Sequence, residues 1–323
     1  MRVELPMRLV FVLLAVAAFT SPAFALQARE PSPPPEEFAG CWRDAADPTH
    51  FVEFEEGRTR ELVGGELNFA RTLFDIDHAI RHVWGRRDRW DFSLEGEQLI
   101  VTSRTSDARG TTTQKFERLK NAKERPAALD PKPLELGKTA PGKPDALTPE
   151  RLAAIQAEMA KRKERDQAVR TGTIDAGKME AVDVDNTAWL TRLVGEVGWL
   201  DQTRFGPETA LGAFLIVQHS GELPLMLAAL PEIEKDVKEH GLDPQNFALL
   251  FDRLRVRLGE KQRYGSQLGT GENHQQIVIA LEDRKHVDAL RKAMRLVPLA
   301  TYLDLFRQQD KAVEIVFEDD LGE

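Results

Sequence analysis

Cysteine is nearly missing from this chain: Cys41 stands alone among 323 residues, so no intramolecular disulfide can form. Its neighbours Phe38 and Trp42 suggest a buried small hydrophobe instead. Positive charge is also scarce as a concentrated feature. The formal net charge is −9 with Lys and Arg scattered among the acids, which argues against a nucleic-acid partner, because phosphate contacts need a basic face. After the first 25 residues no stretch approaches the ~20 apolar residues that a membrane-spanning helix requires. Signatures of familiar catalysis are lacking too. Neither Ser220 nor Ser266 sits in a Gly-x-Ser-x-Gly turn. No Gly-rich phosphate loop and no acid-rich or His-rich ligand spacing appears, so neither a metal nor a cofactor is expected. What remains, 41% hydrophobic and 30% charged residues, is the composition of a soluble globular protein long enough for two domains.

The residues that are present divide the chain. Arg2 and Arg8 precede an apolar run over 9–19, and Ala23-Phe24-Ala25 offers the small residues of a signal-peptidase site. Residues 1–25 therefore read as a cleaved export signal, which makes the mature protein periplasmic or secreted, without a transmembrane span. A Pro-rich leader follows over 26–37, with Pro31, Pro33, Pro34 and Pro35. From 38 to 119 short apolar runs alternate with polar residues, and Gly57, Gly64-Gly65, Gly96 and Gly110 punctuate them as turns. That texture predicts a small antiparallel β-barrel or sandwich. Its opening, Phe38-Ala39-Gly40-Cys41-Trp42, resembles the Gly-x-Trp start of lipocalin-type barrels. The resemblance implies a Trp plugging one end and an interior that either holds a small apolar ligand or is filled by its own side chains. Phe74, Ile76, His78, Ile80, His82 and Trp84 read as one face of a single strand, where His78 and His82 stand roughly 13 Å apart and cannot share a metal.

Residues 120–147, with five prolines from Pro126 to Pro144, read as an interdomain linker with a boundary near 145. A mainly α-helical domain is expected over 148–310, opened by Thr148 as N-cap and Pro149 at the first helical position. Leu190, Leu193, Val194 and Val197 make a stripe closed by Gly198, and Phe247, Leu250, Phe251 and Leu254 make another, beside which lie Asp252 and Arg253. Pro231 predicts a kink or break. The acidic tail, 311–323, is expected to fray from Glu318.

Several polar marks in this half occur in a fixed order. They are Asp166, Gln167 and Arg170, then Gly198-Trp199, Gln218-His219, Asp252-Arg253, Gln262 to Gln267, and finally Leu296, Pro298, Leu299 and Tyr302. This series resembles a bacterial family catalogued as domain of unknown function 6624, over roughly 152–306. Ser266 stands where the family usually has Thr, and Leu200 where Pro is common. The family brings no reaction with it.

Read as chemistry, His219 is the candidate acid-base group, since an imidazole exchanges protons near neutrality. Asp252 is the candidate to orient its ring, with Tyr264 completing a catalytic set. Arg253 would clamp an anion, and Gln218, Gln262, Gln267, Asp166 and Arg170 would frame a ligand. Each also has a plain structural reading, as a cap or a tie between helix and loop. Two functions follow. One is an exported two-domain binding or interaction protein for an unknown small molecule or envelope component. The other is a metal-independent hydrolase or transferase acting on a cell-envelope substrate, with His219 as general base. Both require the clusters around 218, 252 and 265 to share a recess.

Overall fold

The computed structural model describes residues 33–83, 86–105, 110–137, 147–271 and 275–320, so the expected export signal lies outside the described residues. The chain forms two compact units, Lys132–Leu250 in one and the residues on either side of it in the other.

In the flanking unit, the alternating segment closes into an antiparallel barrel of β1 (Gly40–Asp44), β2 (Phe51–Glu55), β3 (Arg58–Val63), β4 (Glu66–Phe74), β5 (His78–Val83), β6 (Arg86–Glu95), β7 (Gln98–Thr105) and β8 (Thr111–Arg118). Each strand pairs with its sequence neighbour, and β1 closes on β8 through Trp42 opposite Arg118. The period-two pattern turns Trp42, Phe54, Phe74, Trp90, Phe92 and Phe116 inward, where all are buried. The Phe54 ring meets Phe74, Trp90 and Phe92 edge-on at centroid distances of 6.0, 6.1 and 5.8 Å. Burying a side chain of this size is worth about 1.5–3 kcal/mol, so the aromatic filling is the main source of the barrel's stability. Trp42 donates its Nε1–H to the Phe38 carbonyl at 2.8 Å, while the Arg118 guanidinium lies 4.3 Å from the ring. Burial pushes the Cys41 thiol up to about 12, with Glu53 adding to the effect, which makes it an inert group.

Polar side chains run through the same unit as a chain of partners. Glu61 accepts from Arg81 Nη2 at 3.1 Å and lies 3.1 Å from His50 Nε2; Gln114 donates to Asp44 at 2.9 Å; and Arg81 also donates to Thr59 Oγ1 at 2.9 Å. Burial opposes ionisation of Glu61, but Arg81 and His50 outweigh it and hold the carboxyl at about 2.

One expected strand is in fact a hairpin. Phe74 ends β4 and His78 begins β5, because the Asp75 carboxylate accepts from the Ile76 N–H at 2.8 Å and its own N–H donates to the His78 carbonyl at 2.8 Å. The turn Asp75-Ile76-Asp77 thus interrupts an alternation that is unbroken in sequence. His78 and His82 do lie on one strand.

The remainder of this unit follows Leu250. A small sheet joins β9 (Leu268–Thr270) antiparallel and β11 (Glu314–Phe317) parallel to β10 (Gln275–Val278). It packs with α7 (Val287–Ala293) and α8 (Leu299–Gln309) through Val278, Leu281, Val287, Leu299 and Leu303. The stretch after Gly259 contains the strand β9, and the tail does not fray at Glu318. Glu318 is 2% exposed. Its carboxylate lies 2.7 Å from His82 Nδ1 and 2.9 Å from Arg71 Nη2, and it accepts from the Ala280 N–H at 2.7 Å. These donors outweigh burial and hold the carboxyl at about 2. Gly259 comes as close on the same strand: at φ +68° an added Cβ would stand 2.9 Å from the Ala70 carbonyl carbon.

The other unit holds α1 (Pro149–Arg170), α2 (Met179–Val197), α3 (Gln202–Phe205), α4 (Pro207–Ser220) and α5 (Leu223–Lys235). Thr148 caps α1 by accepting from the Arg151 N–H at 3.2 Å, as expected. Gly198 ends α2 at φ 80°. Gly137 reaches the same end and donates its N–H to the Val194 carbonyl at 2.8 Å. In place of a break at Pro231, the helix runs on to Lys235 and loosens into a π-helical turn over Asp236–His240. The division between units falls inside α6 (Pro244–Arg257), and beyond it Gly259 and Glu318 are tied to barrel strands. No described helix is long and apolar enough to cross a membrane.

A carboxyl held at about 2 in the fold against an ordinary 4.5 contributes stability that is complete above 4.5 and disappears as pH falls toward 2. Acid titration followed by circular dichroism is expected to lose the barrel unit in that window. Glu318→Gln should narrow the loss and cost about 3 kcal/mol at neutral pH. Gly259→Ala should cost about 1–3 kcal/mol in urea denaturation, from the left-handed backbone and the contact with Ala70.

Candidate functional site

Within the Lys132–Leu250 unit a pocket of about 960 Å³ opens between α2 and the turn from α4 to α5, with His219 on its wall. That volume suits a small organic ligand, for which pockets of roughly 300–1,000 Å³ are usual. Three helices converge behind the imidazole. His219 is in the last turn of α4, Asp166 and Arg170 in the last turns of α1, and Asp183 in the first turns of α2. Asp166 Oδ1 lies 2.9 Å from His219 Nδ1, and Arg170 Nε lies 2.9 Å from the same nitrogen. Only one of them can use that atom at a time. Either a protonated Nδ1 donates to the carboxylate, or a bare Nδ1 accepts from the guanidinium. The first form leaves the ring's lone pair on Nε2, which suits a base; the second leaves a proton there, which suits a donor.

Arg170 Nη2 bridges Asp166 at 3.1 Å and Asp183 at 2.5 Å, so both acids share one cation. Burial works against the Asp166 carboxylate, yet the His219 hydrogen bond and Arg170 prevail and keep its carboxyl below the ordinary range. The pocket wall adds Glu180, Glu222 and Arg192, with Met179, Val184 and Leu225 among its apolar surfaces. Thr187 Oγ1, also on the lining, is buried and has no hydrogen-bond partner among the described residues. Ser220 Oγ, by contrast, donates to the Val217 carbonyl at 2.9 Å and receives the Glu222 N–H at 3.2 Å, so it caps its helix.

The other sequence-selected residues belong to the barrel-containing unit and have different partners. Asp252 is fully buried, and its two oxygens accept the backbone N–H groups of Arg263, Tyr264 and Ser266 at 2.8, 3.0 and 3.0 Å. Burial still dominates and leaves its carboxyl above the usual value. Gln262 accepts the Gln267 N–H at 2.9 Å and donates to the carbonyls of Gln267 and Ile279 at 2.9 and 2.7 Å. Arg253 donates to Gln267 Oε1 at 3.1 Å. Tyr264 packs its ring edge-on against Phe251 at 5.8 Å. From outside the loop, Arg291 and Tyr302 bond the carbonyls of Tyr264 and Ser266 at 2.6 and 3.1 Å.

His219 is thus joined to Asp166 and Arg170, the carboxylate on its ring is Asp166 where Asp252 was expected, and the pocket is lined from the cluster around 218 alone, not by the recess shared with 252 and 265 that was expected. Gln218 is buried beside it in α4. Sequence reasoning passed over Asp183 and Thr187. Both fall on the stripe of Leu190 and Val194 carried back toward the helix start, at spacings of four, three and four, and polar residues on a buried stripe were the available signal.

These features define a protein with a closed β-barrel and a helical bundle that holds a ligand-sized pocket. The chain belongs to the family described as a family of unknown function, DUF6624, whose match covers residues 145–312. Comparison with curated proteins and with solved structures returned no match.

Removing the Asp252 carboxylate orphans three backbone donors, those of Tyr264 and Ser266 buried, each costing about 1–3 kcal/mol. Asp252→Ala is therefore expected to lose about 3 kcal/mol or more in urea denaturation, and His219→Ala less than half as much. Equal losses would contradict these assignments.

Proposed function

We propose that this chain is an exported two-domain binding protein whose ligand is a small, partly apolar molecule held in the pocket beside His219. The observation that carries the reading is the set of groups around that pocket: an imidazole braced by Asp166 and Arg170, and the unpartnered Thr187 hydroxyl. Glu180, Asp183 and Glu222 outnumber Arg192 on the wall, so a ligand with a cationic or hydrogen-bond-donating group fits it best.

The alternative, a hydrolase or transferase acting on an envelope component with His219 as general base, draws support from Asp166, which stands to the ring as an orienting carboxylate. Binding is preferred because the hydroxyl nearest in sequence, Ser220, is committed to capping its helix, and among the described residues no base hydrogen-bonds the Thr187 hydroxyl as a nucleophile would need.

A thermal-shift screen of the full chain against amphiphilic amines, sugars and peptidoglycan fragments tests both. A binder should raise the melting temperature of the wild type, and His219→Ala and Thr187→Val should each reduce that shift by more than half. A hit unaffected by either variant would remove the pocket from consideration, and consumption of the hit would favour the enzyme. Export over 1–25 is part of the same reading. Material recovered from cells should begin at Leu26, and an intact Met1 would refute it.

A further inference from the structure

Away from the residues that line the pocket, Asp201, Asp236 and His240 converge in the Lys132–Leu250 unit. Each offers one ligand atom, and the three atoms lie within 4.8 Å of one another. Local structure explains the convergence. Asp201 is the N-cap of α3, where its Oδ1 accepts the Arg204 N–H at 2.9 Å. Asp236 and His240 begin and end the π-helical turn, a wide turn that tends to occur at functional sites. Gln202, next to Asp201, hydrogen-bonds the His240 carbonyl, which ties the two segments together.

A second observation separates this trio from an ordinary acidic cluster. Asp236 is 1% exposed, its Oδ1 lies 2.6 Å from His240 Nδ1, and its Oδ2 is sealed from water with no hydrogen-bond partner. A carboxylate oxygen left like that is costly unless a cation faces it. The nearby Arg204 is not that cation for Asp236: its Nη1 stands 3.9 Å from Asp201 Oδ2 and its Nη2 donates to the Val197 carbonyl at 2.8 Å.

We propose that Asp201, Asp236 and His240 form a binding site for one divalent transition-metal ion, with water completing the coordination. Two carboxylates and one imidazole neutralise a double positive charge and supply the mixed oxygen and nitrogen donors that suit Zn²⁺, Co²⁺ or Mn²⁺, whereas Ca²⁺ seeks six to eight oxygens. Ligand atoms about 2.1 Å from an ion stand about 3 Å or slightly more apart, so the Asp236–His240 contact needs to open by only a fraction of an ångström. The ion would clamp the start of α3 to the end of the π-helical turn.

The test is isothermal titration of the chelator-treated full chain with Zn²⁺, Co²⁺ and Ca²⁺, alongside the visible absorption of the Co²⁺ form. One equivalent of Zn²⁺ and of Co²⁺ should bind, with Ca²⁺ at least tenfold weaker. Asp236→Asn and His240→Gln should each weaken Zn²⁺ at least tenfold and change the Co²⁺ spectrum. Asp201→Asn removes a partly exposed ligand and leaves the Asp236–His240 pair intact, so it decides the matter if the other variants fail to fold. His286→Ala, at an exposed histidine, should leave binding unchanged. Absence of a saturable equivalent, or binding that survives the Asp201 variant or vanishes with His286→Ala, would overturn the site.

Discussion

A carboxylate removed from water must find donors or cations, and that requirement organises both units of this protein. Asp252 finds three backbone N–H groups, Glu318 finds His82, Arg71 and a backbone amide, Glu61 finds Arg81 and His50, and Asp166 finds His219 and Arg170. Glu318 and Asp166 join pieces of chain far apart in sequence, whereas Asp252 and Glu61 tie a loop or a strand to a neighbouring element. Apolar burial supplies most of the free energy, but it is non-directional. The buried acids supply direction: they set which loop meets which helix.

The four acids are spent in different ways. Around Asp252 every donor is main chain and the result is a fixed loop, with Gln262, Arg291 and Tyr302 satisfying what the carboxylate leaves over. Around Asp166 the donors are side chains, Gln167, Arg170 and His219, and the one of them that can exchange a proton, the imidazole, stands at the wall of a pocket. The same residue type thus serves as mortar in one unit and as a support for a titratable ring in the other. What separates them is whether the partner can change its charge.

Much of the architecture was legible in the chain. Period-two alternation with Gly at the turns marked the barrel, and the Thr148-Pro149 start and Gly198 stop marked helix ends, because each of these signals acts over a few residues. The hairpin at Asp75–Asp77 was hidden because Phe74, Ile76 and His78 continue the alternation straight through it, and the chain is turned by Asp75, through its carboxylate on the Ile76 N–H and its own N–H on the His78 carbonyl. The residues of the site were legible as a set but not as pairs. His219, Asp166 and Arg170 were all marked, yet the ring's carboxylate was sought at Asp252, since nothing local distinguishes an acid near α1's end from one in α6. The helix order that brings α1 to α4 is a tertiary fact. Glu318 was read as fraying for the same reason: His82 and Arg71 lie more than 200 positions earlier.

The Lys132–Leu250 unit interrupts the other unit in sequence, and the family region, 145–312, takes in all of α1 to α8 while ending short of β11. A recombinant fragment trimmed to the family limits would carry β10 without its parallel neighbour and would leave Ala280's amide without the Glu318 oxygen that receives it. It would also leave behind the barrel strands on which Gly259 is seated. Useful cloning limits are therefore set by where buried charge is neutralised, and they enclose the barrel, the helices and the last acidic turn in one polypeptide.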